Sequence, residues 1–229
     1  MFAVIVNAVA IIVGSLIGLL FKKGIPQKIT TPITNGLSLC VLYIGISGAL
    51  CGENVLISIA SLVIGVVIGT LLDIDGKFNS LGDRLENKFS GDGEKGNFSK
   101  GFVNASILFG VGAMAIVGSI NAGLTRDYSV LFTKSLLDAI SSVIFASTFG
   151  IGVMFSAITI FVYQGLICLL AQFLSPVLTQ TAINEMSCVG YILIIGMGLN
   201  MLNVTKIKIA DYMPAIVIAP IIVYLISLF

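Results

Sequence analysis

The chain has 229 residues, 57% of them apolar and 10% charged, with a formal net charge of +1. That apolar content is more than a soluble domain of this size buries, so the composition predicts an all-α, polytopic membrane protein with the lipid bilayer as its first partner. Near-neutral charge offers no basic surface for nucleic acid, and a chain without histidine has neither a histidine-ligated metal nor a histidine base, so no metal and no cofactor are expected.

A bilayer core about 30 Å thick needs roughly 20 helical residues per crossing. The first charge-free run, 2–21, starts without a basic flank and carries Lys22 and Lys23 beyond it, so it reads as a retained span and not as a secretion signal. Residues 33–52 and 54–72 give spans two and three. Gly14 with Gly18, and Gly65 with Gly69, have the GxxxG spacing that packs helices closely; the same spacing can join copies of a chain, so a homo-oligomer is among the expected partners.

A polar stretch follows at 74–100. Ile74, Phe78, Leu81, Leu85 and Phe89 recur at helical spacing among charges, as in an interfacial amphipathic connector, and a glycine-rich polar turn completes it. This segment is either a membrane-surface link or a partner-binding element. Residues 101–125 form span four, and span five begins near Tyr128. The uncharged run 139–184 is too long for one crossing, and a turn near 148–152 divides it between spans five and six. Residues 186–205 and 212–229 complete a prediction of eight spans. The four cysteines lack CxxC spacing and read as small buried hydrophobes.

With eight spans, ten of the twelve Lys and Arg residues lie on one face; only Arg126 and Lys134 fall elsewhere. Basic loops stay in the cytoplasm, so both termini are expected outside. Sliding the chain by 150 positions aligns span one, its loop and span two with span six, its loop and span seven, matching Pro26 to Pro176 and Gly48 to Gly198. Units 1–73 and 150–229 would then be inverted repeats around spans four and five, as in many secondary transporters. All of it forms a single integral membrane domain, 1–229.

The central stretch carries the chemistry. Gly118, Ser119, Asn121 and Gly123 put helix breakers and polar groups near the end of span four. They suit an ordinary interhelical turn, and equally a partly unwound segment whose backbone and side chains line a solute site. In span five, Lys134 and Asp138 are one turn apart near the bilayer middle, with Ser141 and Ser142 one turn further on. Ionisable groups at that depth need each other or water. Lysine before its acid is the weaker order for stabilising a helix, which favours a functional pair: Asp138 as proton or cation site, Lys134 as counter-charge or anion contact. Asn200, after Gly196 and Gly198 in the repeat partner of span two, marks a second predicted break. Asn7, Asn104, Ser156, Gln164 and Glu185 are expected to hydrogen-bond between helices.

The motifs GAMAIVGSINAG, KSLLD, GIGVMFSA with YQG, and GMGLN, in that order, resemble those of the bacterial membrane-protein family catalogued as domain of unknown function 554. The resemblance covers essentially the whole chain and implies an integral protein of the bacterial cytoplasmic membrane. It implies no substrate. The sequence leads to a secondary transporter or permease for a small solute or ion, working by alternating access at the Lys134 and Asp138 site. The alternative is a non-transporting scaffold or sensor acting through the connector. Lys134 is already placed for Asp138 and no motif marks a nucleophile, so no enzymatic reaction is expected.

Overall fold

The computed structural model describes residues 1–22, 27–77, 79–80, 84, 97–111, 113–174 and 178–227. Among them all regular structure is helical: α1 (Phe2–Lys22), α2 (Gln27–Ala49), α3 (Val55–Leu71), α4 (Asn97–Gly110), α5 (Ala113–Leu124), α6 (Ser129–Phe149), α7 (Gly152–Leu169), the short α8 (Ala171–Leu174), α9 (Gln180–Met201), a 3₁₀ turn (Ile209–Tyr212) and α10 (Pro214–Ile226). The chain is thus an all-α polytopic membrane protein. Long apolar side chains such as Leu20, Leu50, Leu71 and Phe173 stand exposed, as lipid contact requires.

Eight spans are not established by these helices. Five are long and apolar enough to cross, rising to six if α4 and α5, bent by 62° between Gly110 and Met114, count as one. The apolar part of α2 (Thr34–Ala49) and α3 are shorter. The turn expected near 148–152 is present: α6 stops at Phe149, and Gly150 takes φ 83°, a conformation that suits a residue without Cβ. Of the amphipathic connector, Phe78, Leu81, Leu85 and Phe89 lie outside the described residues, as do Pro26 and Pro176 of the repeat.

Two compact units emerge, Met1–Ile33 with Phe78–Gly110 and Met114–Gln172, and Thr34–Lys77 with Val111–Ala113 and Phe173–Phe229. Of the proposed repeat partners, α1 and α7 fall in the first unit, and α3, α9, α10 and the part of α2 from Thr34 onward in the second. The repeat units 1–73 and 150–229 are each divided between the two compact units, and the inverted repeat is not established.

In the first unit α1 lies along α6. A Cβ at Gly14 would collide with the Ala139 carbonyl and Ser142 Oγ, and one at Gly18 with the Val143 carbonyl. The glycines therefore remove bulk where two backbones meet. Ala3, Val4, Ala122, Leu131 and Cys168 close one end of this core, and Phe109 and Phe145 pack at 6.4 Å further along. In the second unit Ile57, Val189, Ala215 and Ala219 form the core. Gly65 and Gly69 fit against Ala215 and the Asp211 carbonyl. Glu185, fully buried, accepts the N–H groups of Glu53 at 2.7 Å and Asn54 at 2.6 Å, which satisfies donors at the start of α3.

Candidate functional site

The buried face of α6 runs Leu131, Lys134, Ser135, Asp138, Ser142, Phe145, Ala146 and Phe149, the three-and-four spacing of a helix stripe. Lys134 and Asp138 therefore both turn inward. Asp138 lies roughly 14 Å along a helix that rises about 1.5 Å per residue, near the middle of a crossing. The Lys134 ammonium donates to Asp138 Oδ1 at 2.8 Å and Oδ2 at 2.7 Å, with the two residues only 5% and 6% exposed. Charge at that depth is costly, and two contacts from one ammonium offset part of the cost.

Two amides from other helices join the pair. Asn7 of α1, fully buried, donates Nδ2 to Asp138 Oδ2 at 3.1 Å and to Gln164 Oε1 of α7 at 3.1 Å. The carboxylate accepts only, so Asn7 must present its N–H₂, and Gln164 must then present its oxygen. Asn7 Oδ1 and Gln164 Nε2 are left buried with no hydrogen-bond partner among the described residues. In the sequence Asn7 and Gln164 stand out only as polar residues able to bond between helices. Their signal was positional, since Asn7 lies on the stripe of α1 that carries Gly14 and Gly18.

The break expected at 118–123 is not there; α5 is helical through those residues. Gly118 is buried against Leu131, one turn before Lys134, and a Cβ at Gly123 would strike the Cys168 carbonyl. These glycines serve helix contact and not unwinding. Buried Ser119 donates to its own helix at the Ala115 carbonyl, 2.6 Å, and the Asn121 carbonyl accepts from the Thr125 N–H and hydroxyl, each at 2.9 Å. Ser142 likewise donates to the Ala139 carbonyl at 2.8 Å, while Ser141 is half-buried.

No break precedes Asn200 either, because α9 continues to Met201. Its side chain instead builds the turn beyond: Oδ1 accepts from Thr205 Oγ1 at 2.7 Å and the Ile207 N–H at 2.9 Å, and Nδ2 donates to the Ile207 carbonyl at 2.6 Å. It belongs to the second unit, and the charge pair to the first. Glu185 behaves as the interhelical acceptor the sequence suggested. Ser156 does not; it bonds its own helix at Val153.

At the mouth of α6, outside the span, Asp127 Oδ1 accepts the Ser129 N–H at 3.0 Å and hydroxyl at 2.7 Å. Those bonds hold its carboxyl below the ordinary range.

No solved structure matches the chain. It is 35% identical over 233 residues to the uncharacterized membrane protein YdfK of Bacillus subtilis (strain 168), covering 100% of this chain and 98% of that one. It is 27% identical over 217 residues to the uncharacterized protein YqgA of Escherichia coli (strain K12), covering 93% and 92%. The family model described as protein of unknown function (DUF554) matches residues 2–224, and with that match, over helices that carry a charge pair at mid-span, the chain belongs to the DUF554 family.

Proposed function

We propose that the protein is a secondary transporter or permease for a small solute or ion in the bacterial cytoplasmic membrane, and that it performs no enzymatic reaction. The observation that carries this reading is the Lys134 and Asp138 pair, buried near mid-span and bonded to the Asn7 amide of α1, which in turn bonds Gln164 of α7. A pair kept for stability alone is a poor device, because replacing a buried ion pair with apolar side chains is often neutral or stabilising. The segregation of repeat partners into the same unit agrees with it, since repeat-built carriers move such groups against one another.

In this reading Asp138 changes protonation or ion occupancy as access alternates between the two sides. Lys134 holds the carboxylate while it is charged and is freed when the carboxylate is neutralised. Gly14 and Gly18 bring α1 close enough for Asn7 to take part.

The test is flux in proteoliposomes holding the purified protein, screened with amino acids, organic acids and cations. A flux found with wild type is expected to vanish in Asp138→Asn. Equal flux in that variant removes Asp138 from the mechanism.

A further inference from the structure

We infer that Asn7 and Gln164 form a binding site for a single water beside Asp138, and that the ion taken up there is the proton and not a metal cation. The inference rests on the transport reading and narrows its coupling ion.

Two orphaned atoms mark the place. Among the described residues the buried polar atoms without partners are Asn7 Oδ1, Gln164 Nε2 and the hydroxyls of Ser15, Ser61 and Ser187. Only the first two belong to side chains already bonded to each other. A buried polar group without a partner costs about 1–3 kcal/mol, so two in one bonded pair point to a ligand. One is an acceptor and the other a donor, with the orientation fixed by the carboxylate. A hydroxyl group has the chemistry to satisfy both, since it can donate to Asn7 Oδ1 and accept from Gln164 Nε2. Water is the smallest molecule that carries one.

Cation chemistry fits the same site badly. Hard metal cations need a shell of oxygen ligands. Both Asp138 oxygens already face N–H groups, from Lys134 on each and from Asn7 on Oδ2. A metal ion would have to expel the ammonium and would still meet the donors of Asn7 and Gln164. A proton needs one lone pair. In that step an O–H bond forms at the carboxylate, an O–H bond of the delivering water breaks, and bulk solvent restores the water's proton. Lys134 keeps its charge and loses its counter-ion, which alters the contacts of α6 without emptying the site.

The other titratable groups on or next to the helices packed against α6 are the Met1 ammonium before α1, which donates to Cys168 Sγ at 3.4 Å, Lys22 at the far end of α1, Tyr163 and Cys168 on α7, and exposed Lys100 on α4. The Asp138 carboxylate takes its hydrogen bonds from Lys134 and Asn7, so the exchange belongs to Asp138 and Lys134.

Infrared difference spectroscopy on the full chain in lipid nanodiscs tests this without transport. The Asp138 carboxyl C=O band, assigned by its loss in Asp138→Asn, is expected to titrate with the same midpoint in sodium, potassium and choline chloride. An O–H band that shifts in H₂¹⁸O is expected in wild type and is expected to vanish in Gln164→Met, which leaves the carboxyl band in place. A midpoint that falls by about one pH unit per tenfold rise in sodium or potassium overturns the proton assignment. A water band unchanged in Gln164→Met overturns the site. Should that variant fail to fold, the salt series on wild type still decides the ion. Absent flux with a salt-independent midpoint defeats the transport reading and spares the proton site. Asp138-dependent flux with a salt-sensitive midpoint does the reverse.

Discussion

Asn7 and Asp138, 131 positions apart in sequence, meet through one hydrogen bond of 3.1 Å between α1 and α6. The bond exists because α1 approaches α6 along glycines, so a short amide reaches a carboxylate that a bulkier interface would keep away. One contact thus ties helix packing in the first unit to the charge placed at mid-span. The ion pair, the amides and the glycine seam behave as a single construction, and their perturbations are predictable separately.

Removing one charge should cost far more than removing both. Lys134→Met leaves Asp138 buried against Asn7 alone, and loss of one partner from a buried pair costs about 3–5 kcal/mol. The double variant Lys134→Met, Asp138→Leu leaves no buried charge and is expected to regain most of that stability, while flux stays lost. Unfolding in detergent micelles gives the first comparison and proteoliposomes the second. A double variant as unstable as the single one shows that the pair is structural.

Much of this was legible in the sequence. The spacing of Lys134 and Asp138 was enough to place both on one helix face at depth, because the helical period is local information. The GxxxG pairs likewise announced close contact, though not which helices meet. The error at 118–123 has a physical cause: glycine unwinds a helix when nothing holds it, but permits a neighbour when one is there, and only the Leu131 and Cys168 contacts decide between them. Asn200 misled in the same way, since its partners Thr205 and Ile207 are local and make a turn. Gln164 was visible as a polar residue in a span, yet its pairing with Asn7 depends on tertiary approach.

The glycine seam is tested by a matched pair of substitutions. A Cβ at Gly14 would strike the Ala139 carbonyl, whereas one at Gly36 in α2 meets nothing within 4 Å. Gly14→Ala is expected to destabilise by about 1–3 kcal/mol through overpacking. Gly36→Ala is expected to be neutral or to stabilise by up to about 1 kcal/mol through helix propensity. Equal effects at both sites would show that α1 and α6 are not in backbone contact.

Glu185 predicts a charge requirement in the second unit. Its Oε1 takes two backbone N–H groups at the start of α3. Glu185→Leu leaves both donors unsatisfied and is expected to cost about 2–4 kcal/mol, with Glu185→Gln in between because an amide oxygen still accepts. Thermal unfolding of the three proteins should give that order; a leucine variant as stable as wild type removes the capping role.

Cys51, exposed in the turn after α2, reports orientation. The charge pattern of the sequence predicts both termini outside; if that orientation holds, this turn faces outward and a membrane-impermeant maleimide should label it in intact cells. Although the residue is exposed, partial desolvation of its sulfur, together with the nearby Cys188 thiol, pushes the Cys51 thiol up, so labelling is expected to be slow at neutral pH and to accelerate as pH rises. Labelling of Cys51 only after cell lysis reverses the orientation.

Asp127 supplies a dependence on pH at the N-terminus of α6. Its folded-state value lies below the ordinary 3.8 because the Ser129 N–H and hydroxyl stabilise the charged form. The unfolded chain therefore takes up the proton first. The added stability is complete above the ordinary value and is lost as pH falls through the lower, folded one. The side chain is fully exposed to water, so the effect is local: the protection of the Ser129 to Leu131 amides, taken relative to their intrinsic exchange rate at each pH, should fall on acidification while that of the α6 interior is unchanged. Asp127→Asn keeps an acceptor for Ser129 without a titrating group and is expected to abolish the acid-induced change. Persistence of that change in the asparagine variant would assign it to another group.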